Sequence, residues 1–423
     1  MKTTRKGNLR DCLFLFLIRL NSKFMKTPFY FLLLIALLST LSLQALAAKK
    51  TASTPPAIQT ISIAYLTQEL AQPTEMLSNL DPFINEKGAI GAQLAISDNN
   101  TTGEFTHQQF VLQTFIVPED GDVADTFTKQ IATKFNYVVT NLNAKNTLTI
   151  STLAADKPIL FFDAGTIDDE LRGEQCKKNT LHLLPSRAMK ADALAQYLLK
   201  KRWTKWFLVS GTAPEDMLFV NALKRAAKRF GTKIVAEKKW EHTFDARKSA
   251  QSDVAVFTQT DDYDVLVVAD EKGLFGEYLE YRTWLARPVV GTQGLIATAW
   301  HKTHEQWGAA QIQNRFQALA KRSMEELDYA AYLAVRAIGE AATRTKSNEL
   351  EVLSNYLRSP QFTLQGYKGN PLSFRAWDGQ LRQSILLVAP RSFVAAAPIE
   401  GFLHPKTELD TLGFDQNESA CHF

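Results

Sequence analysis

Short, continuous apolar runs alternate with helical stretches along most of this chain, and that alternation restricts its fold more than any other feature. "ISIAYL" (61–66), "YVVT" (137–140), "PILFFD" (158–163), "WFLVS" (206–210), "DVLVVA" (264–269) and "SILLVA" (384–389) are rich in β-branched and aromatic residues and lack polar alternation. Runs of that kind read as strands buried on both faces. Further strands are expected at 110–115, 233–240 and 288–291, and helices at 82–97, 122–135, 146–155, 274–285 and 325–344. The middle is clearest. Ser186 is placed to cap a helix running to Lys201, and Thr212-Ala213-Pro214-Glu215 has capping-box spacing. Met217, Val220, Leu223, Ala227 and Phe230 then recur at helical intervals, with Gly231 set to stop the helix. Repeated β-α-β units imply a mainly parallel sheet with helices on both faces. Roughly eleven strands exceed a comfortable single open sheet, so the expected class is α/β with two doubly wound lobes.

The amino-terminal end bears on where this fold works. Lys23 and Lys26 lead into an apolar run from 29 to 48, and Ala45-Leu46-Ala47 has the small-x-small form of a signal-peptidase site. Residues 1–47 therefore read as a signal peptide, with Met25 an alternative start, and the periplasm is the expected location. The run is also about long enough to span a bilayer, so an uncleaved anchor is the alternative.

The leader carries the positive charge. Of 48 Lys and Arg and 44 Asp and Glu, residues 1–47 hold seven basic side chains and one acid, which leaves 41 against 43. No basic stripe remains, which argues against nucleic acid as a partner. After cleavage only Cys176 and Cys421 persist; in an oxidising compartment they can pair, or they remain two separate thiols.

Signals for catalysis are weak. The chain has no G-x-S-x-G elbow and no G-x-x-x-x-G-K-[ST] phosphate loop, and it is read as a non-enzyme without a resident cofactor. In open α/β sheets, ligands gather beyond the carboxyl ends of strands. That rule selects Gln68 and Glu69, Asn141 and Asn143, Asp163 and Thr166, Thr212, Asp270 and Gln293 as candidate ligand contacts. Asp163, Asp270 and Glu271 are the candidates for a bound cation, since hard ions take oxygen ligands. Each also has a local reading: Thr212, Asp163 and Asp270 can simply cap the helices that follow them.

Several stretches resemble one family. "KGAIGAQLAISDNNTTGEFTHQQFVLQTF" is similar to the first helix and second strand of periplasmic solute receptors of the branched-chain amino acid-binding (type I) family. "KWFLVSGTAPEDMLFVNALKRAAKRFGTKIVAE" resembles their second-lobe strand-helix-strand, and "DYAAYLAVRAIGEAA" with "PLSFRAWDGQLRQSILLV" their closing stretch. A narrower resemblance, carried by "HLLPSRAMKADALAQYLLKKRWTKW" and "GFLHPKTELDTLGFDQNESAC", is to the substrate-binding-like proteins associated with PQQ-dependent (quinoprotein) alcohol dehydrogenase systems.

The resemblance implies two Rossmann-like lobes joined by three crossings and closing by a hinge. Carried onto this numbering, lobe 1 is 57–178 plus 292–343, lobe 2 is 179–291 plus 344–390, and 391–423 is a tail. It implies a monomer that captures a small polar solute or a metal ion and delivers it to an inner-membrane ABC permease. The quinoprotein association widens the ligand choice to an alcohol-derived compound, the quinone cofactor or a metal. Amino acid-binding members present small hydroxyl residues after the third and fourth strands, where this chain reads "TNLNAKNT" and "FFDAGTIDDE". An accessory protein of a quinoprotein dehydrogenase, using the same fold without transport, is the alternative.

Overall fold

The apolar runs become the strands of two mainly parallel sheets. The computed structural model describes residues 58–70, 84, 87–241 and 250–423, with the side chains of 250–252 excluded. The signal segment, the start of the 82–97 helix and residues 71–83 lie outside these. Both sheets belong to one compact unit, Ala57–Phe423. Among the described residues no helix is long and apolar enough to cross a membrane.

The first sheet contains β1 (Gln59–Gln68), β2 (Gln108–Val117), β3 (Tyr137–Asn141), β4 (Leu160–Asp163) and β5 (Thr180–His182) in the order β2-β1-β3-β4-β5. All of its pairings are parallel, with Ile63 of β1 opposite Leu112 of β2 and Tyr137 of β3. The second contains β6 (Lys205–Ser210), β7 (Lys233–Lys239), β8 (Val265–Ala269), β9 (Val289–Gly291), β10 (Leu295–Thr298), β13 (Ile385–Ala389) and β14 (Ser392–Ala397), ordered β14-β13-β10-β9-β8-β6-β7. It is parallel from β7 to β10, and β13 and β14 add antiparallel at one edge. Every residue of β8 is buried, as expected of a strand covered on both faces. A small ribbon, β11 (Ser373–Phe374) with β12 (Leu381–Arg382), completes the strands.

The helices follow their patterns. On the first sheet, α1 (Ala89–Thr106), α2 (Val123–Thr126, continued by a π-helical turn at Phe127–Ile131) and α3 (Ala144–Leu153) alternate with the strands. On the second, α4 (Arg187–Lys200), α5 (Pro214–Phe230), α6 (Ala250–Phe257) and α7 (Gly276–Leu279) do the same. Then come α8 (Ala309–Ala320), the long α9 (Glu326–Thr345) and α10 (Leu350–Leu357). Ser186 caps α4 by accepting from Met189 N, and Gly231 ends α5 at φ 70°. The N-cap of α5 is Ala213 rather than Thr212; Asp216 closes that turn by accepting from Ala213 N at 3.2 Å. The helix expected over 274–285 is only the single turn of α7.

Helix α9 packs along α1 so closely that Gly91 can carry no side chain. A Cβ there would lie 2.0 Å from the Asp328 carbonyl oxygen. Asp328 is fully buried and receives Gly88 N at 2.8 Å and Arg322 Nη2 at 2.9 Å, which fixes the start of α1 against α9.

Three chain crossings join the lobes, and they fall later than the expected 178/179, 291/292 and 343/344. β5 stays in the first sheet and Leu184 in its core, so the first crossing follows Leu184. β10 pairs in the second sheet, so the second crossing is at Thr298-Ala299. The end of α9 does not leave the first lobe: Leu353, Leu357, Phe362, Phe374 and Leu381 continue its core, and the third crossing is at Gln383-Ser384. The tail begins with a strand, β14, and Leu412 then inserts into the second lobe's core. Arg375 reaches it from the first lobe, donating to Asp410 Oδ1 at 2.9 Å and to the Leu412 carbonyl at 2.8 Å. Cys421, near its end, forms a disulfide with Cys176.

Candidate functional site

A cavity of about 450 Å³ opens at the carboxyl ends of β8 and β9, on the side that faces the first lobe. Asp270, Glu271, Thr292, Gln293, Lys190 and Lys272 come to its wall from the second lobe, and Ile167 and Glu326 from the first. The two lobes meet there through Lys190 Nζ and Glu326 Oε2 at 2.9 Å. Beside the cavity Arg187 bridges them again, holding Asp168 at 2.6 Å and Glu271 through two bonds of 2.8 and 2.7 Å.

The charged groups on this wall are already matched. Asp270 is buried and accepts from the backbone N–H groups of Leu274, Phe275 and Gly276 at 2.7–2.9 Å, which is the helix-start role its position allowed. Glu271 is engaged by Arg187, and Lys272 pairs with Glu215 at 2.9 Å. The Gln293 amide, by contrast, has no hydrogen-bond partner among the described residues and lies on the cavity wall. The site thus offers a free amide and bounded apolar surface within a ring of neutralised charge, which suits a small organic solute better than a bare ion.

The remaining expected contacts are used elsewhere. Gln68 donates to the carbonyls of Pro118, Glu119 and Gly121 and accepts from Asn146, so it pins loops at the end of the first sheet. Glu69 extends β1 pairing through its backbone, accepted by Val117 O at 2.9 Å. Asn141 donates to the Lys87 carbonyl at 3.1 Å, and Asn143 caps α3 by accepting from Asn146 N at 2.8 Å. Thr212 is exposed and lines no part of the cavity.

Asp163 and Thr166 form a separate buried cluster that does not line the cavity. Asp163 accepts from Gly165 N, from Thr166 N and Oγ1, and from His182 Nδ1 at 2.8 Å. Burial works to raise the Asp163 pKa, but the His182 hydrogen bond, with Arg172 and Thr166, holds it below the ordinary value. Burial, reinforced by Arg172, lowers the His182 pKa against the pull of Asp163. The pair is therefore a carboxylate accepting from a neutral imidazole, with Arg172 supplying the compensating charge.

The three candidate cation ligands do not converge. Asp163 is sealed in its own cluster, Asp270 is spent on three backbone donors and Glu271 on Arg187. Among the described residues no group of three or more His, Cys, Asp or Glu is placed to hold a metal ion.

Lys190 and Glu326 were not foreseen, because both sit in the first turns of helices, which a search of strand ends passes over. Their signal in the sequence was weak: a lysine one turn past the Ser186 cap and a pair of glutamates ahead of an apolar helix.

The comparisons agree with this architecture. A periplasmic binding protein family model matches residues 82–392. No curated relative matches the chain. Among solved structures, a branched-chain amino acid ABC transporter periplasmic ligand-binding protein from Burkholderia xenovorans superposes with a TM-score of 0.66 at 16% identity, over 85% of this chain and 99% of that one. A leucine-, isoleucine-, valine-, threonine- and alanine-binding protein from Brucella ovis, in a closed conformation, gives 0.61 at 14% identity over 85% and 96%. An ABC transporter solute-binding protein from R. palustris in complex with benzoate gives 0.60 at 10% identity over 86% and 100%. With two parallel-sheet lobes in place and the model matching most of its length, the chain belongs to the periplasmic binding protein family.

Proposed function

We propose that the protein is the substrate-binding component of an ABC transporter, working in the periplasm, and that it holds a small polar organic solute between its lobes. The observation that carries this reading is the cavity itself, walled by Gln293 and its neighbours on one side and by Ile167 and Glu326 on the other. Two similar solved structures support the ligand class: an ABC transporter substrate-binding protein from Desulfitobacterium hafniense is a complex with leucine and the R. palustris protein a complex with benzoate, both small organic molecules. Binding between hinged lobes gives a permease a closed, loaded shape to recognise.

A thermal-shift screen tests it, because a solute that binds only the folded state stabilises it by about 2.7 kcal/mol at a hundred times its Kd. The panel comprises amino acids, aromatic and aliphatic acids, alcohol-oxidation products, the quinone cofactor, calcium and a lanthanide. A rise with one organic class is the expected outcome, and a rise with the metal ions alone overturns the reading.

The link to quinoprotein alcohol oxidation rests on the resemblance of residues 182–206 and 401–421. A response confined to alcohol-oxidation products or to the quinone cofactor supports it. Co-purification with a dehydrogenase, with no response to any solute, supports the accessory role instead.

A further inference from the structure

Three strands of chain must twist together when two lobes rotate about a hinge, and in this protein one buried polar relay touches all three. Just before the first crossing the Leu183 carbonyl accepts from Gln383 Nε2 at 2.5 Å. Gln383 belongs to the third crossing and is fully buried, and its Oε1 accepts from Lys368 Nζ at 2.7 Å. Lys368 is 5% exposed, and its Nζ also donates to the carbonyl of Ala299, at the second crossing, at 2.9 Å. The Ala299 N–H in turn donates to Glu326 Oε1 at 2.7 Å. Glu326 is the cavity residue whose other oxygen holds Lys190 across the lobes at 2.9 Å. Lys368 Nζ also lies 4.9 Å over the Tyr329 ring, which stacks on Trp300 just beyond the second crossing.

The arrangement runs without a gap from the ligand-facing wall to every connection between the lobes. Inside a protein, buried donors and acceptors strongly favour all being satisfied together, so such a network has few intermediate states. A crossing that turned alone would strand the buried Lys368 amino group or a buried amide. Packed elements of this kind switch between discrete arrangements rather than bending continuously.

We propose that Lys368, Gln383 and Glu326 act as the coupling element of the hinge, making the three crossings move as one and transmitting occupancy of the cavity to the angle between the lobes. The proposal rests on the reading of the cavity as the capture site. Lys368 and Gln383 are positioning residues: they touch the hinge and do not line the cavity.

The test is pulsed electron–electron spin resonance on the full mature chain with the native disulfide intact, using nitroxides at Lys145→Cys in the first lobe and Lys228→Cys in the second. Without ligand, the unaltered hinge should give one narrow distance distribution. Lys368→Met should broaden it and shift it to longer distances. Gln383→Leu should do the same while removing no charge, so it carries the test if the lysine variant does not fold. Folded variants whose distributions superimpose on the parent overturn the proposal. A solute from the panel that narrows the parent and both variants alike also overturns it, while leaving the capture reading intact. A parent that binds nothing, with variants that still broaden, keeps the mechanical coupling of the crossings and removes the capture reading together with the link to ligand.

Discussion

Two carboxamide and carboxylate side chains beside one cavity separate structure from recognition. Asp270 was chosen from the sequence as a ligand contact and it does line the cavity, yet its oxygens are consumed by three backbone donors. Asp270→Ala should therefore cost about 2–3 kcal/mol of folding stability in urea denaturation, since it strands buried N–H groups. Gln293→Leu should leave stability nearly unchanged and weaken solute binding about tenfold, close to 1.4 kcal/mol, by calorimetry on the solute the screen selects. Lys368 gives a pH signature. Burial depresses its pKa from 10.5 to about 7, with Glu326 opposing. From about pH 7 to 10.5 the unfolded chain keeps a proton that the native chain sheds, so native stability rises with pH across that window; below it both states are charged and this contribution is flat. Urea titrations between pH 7.5 and 9.5 should show a slope near ~1 kcal/mol per pH unit that Lys368→Met abolishes. Gln68, Asn141 and Asn143 show why the rest of the site was not legible residue by residue. Short polar side chains at strand ends are chemically equal candidates for ligand contact and for local capping, and here capping and loop bonds took all three.

At the level of elements, legibility follows the length of each run. β1, β6 and β8 could be read because they are long enough to show an unbroken apolar signature. β5, at three residues, and β10, at four, are too short for that signature and were not expected, whereas β9 was, from its two valines between Pro288 and Gly291; the lobe boundaries, carried over from the family resemblance, put residues 180–182 and 295–298 in the other lobe. Residues 281–285 carry Tyr281 and Trp284 largely exposed, so no apolar stripe faces the core to sustain α7 beyond one turn. Caps were more transparent, since Ser186 and Gly231 act within a single turn of their own position. The contact between α1 and α9 was invisible for the opposite reason: its partners lie far apart along the chain. Gly91→Ala drives a methyl into the Asp328 backbone rather than into a flexible side chain, and should cost about 2–3 kcal/mol, read as a lowered urea midpoint with an unchanged slope.

Across the whole molecule, the disulfide ties residues 245 positions apart, joining a loop of the first lobe to a tail that also packs on the second. Cys176→Ser with Cys421→Ser should lower stability by about 2–5 kcal/mol relative to the oxidised parent, and limited proteolysis should then release fragments from the carboxyl end. The two-lobe plan itself was legible in the sequence, because alternating runs fix a doubly wound architecture whatever the ligand. The position of α9 has a further consequence. The first sheet is built from residues 59–182, but the helix that seals α1 against it is written only after five of the second sheet's seven strands. A chain emerging amino-terminus first must therefore wait, its earliest strands laid down with one greasy side still bare, until most of the polypeptide has appeared. Such a protein is a natural client for holding chaperones, and shortening it from the carboxyl end to remove α9 should leave an insoluble remnant rather than a free-standing half.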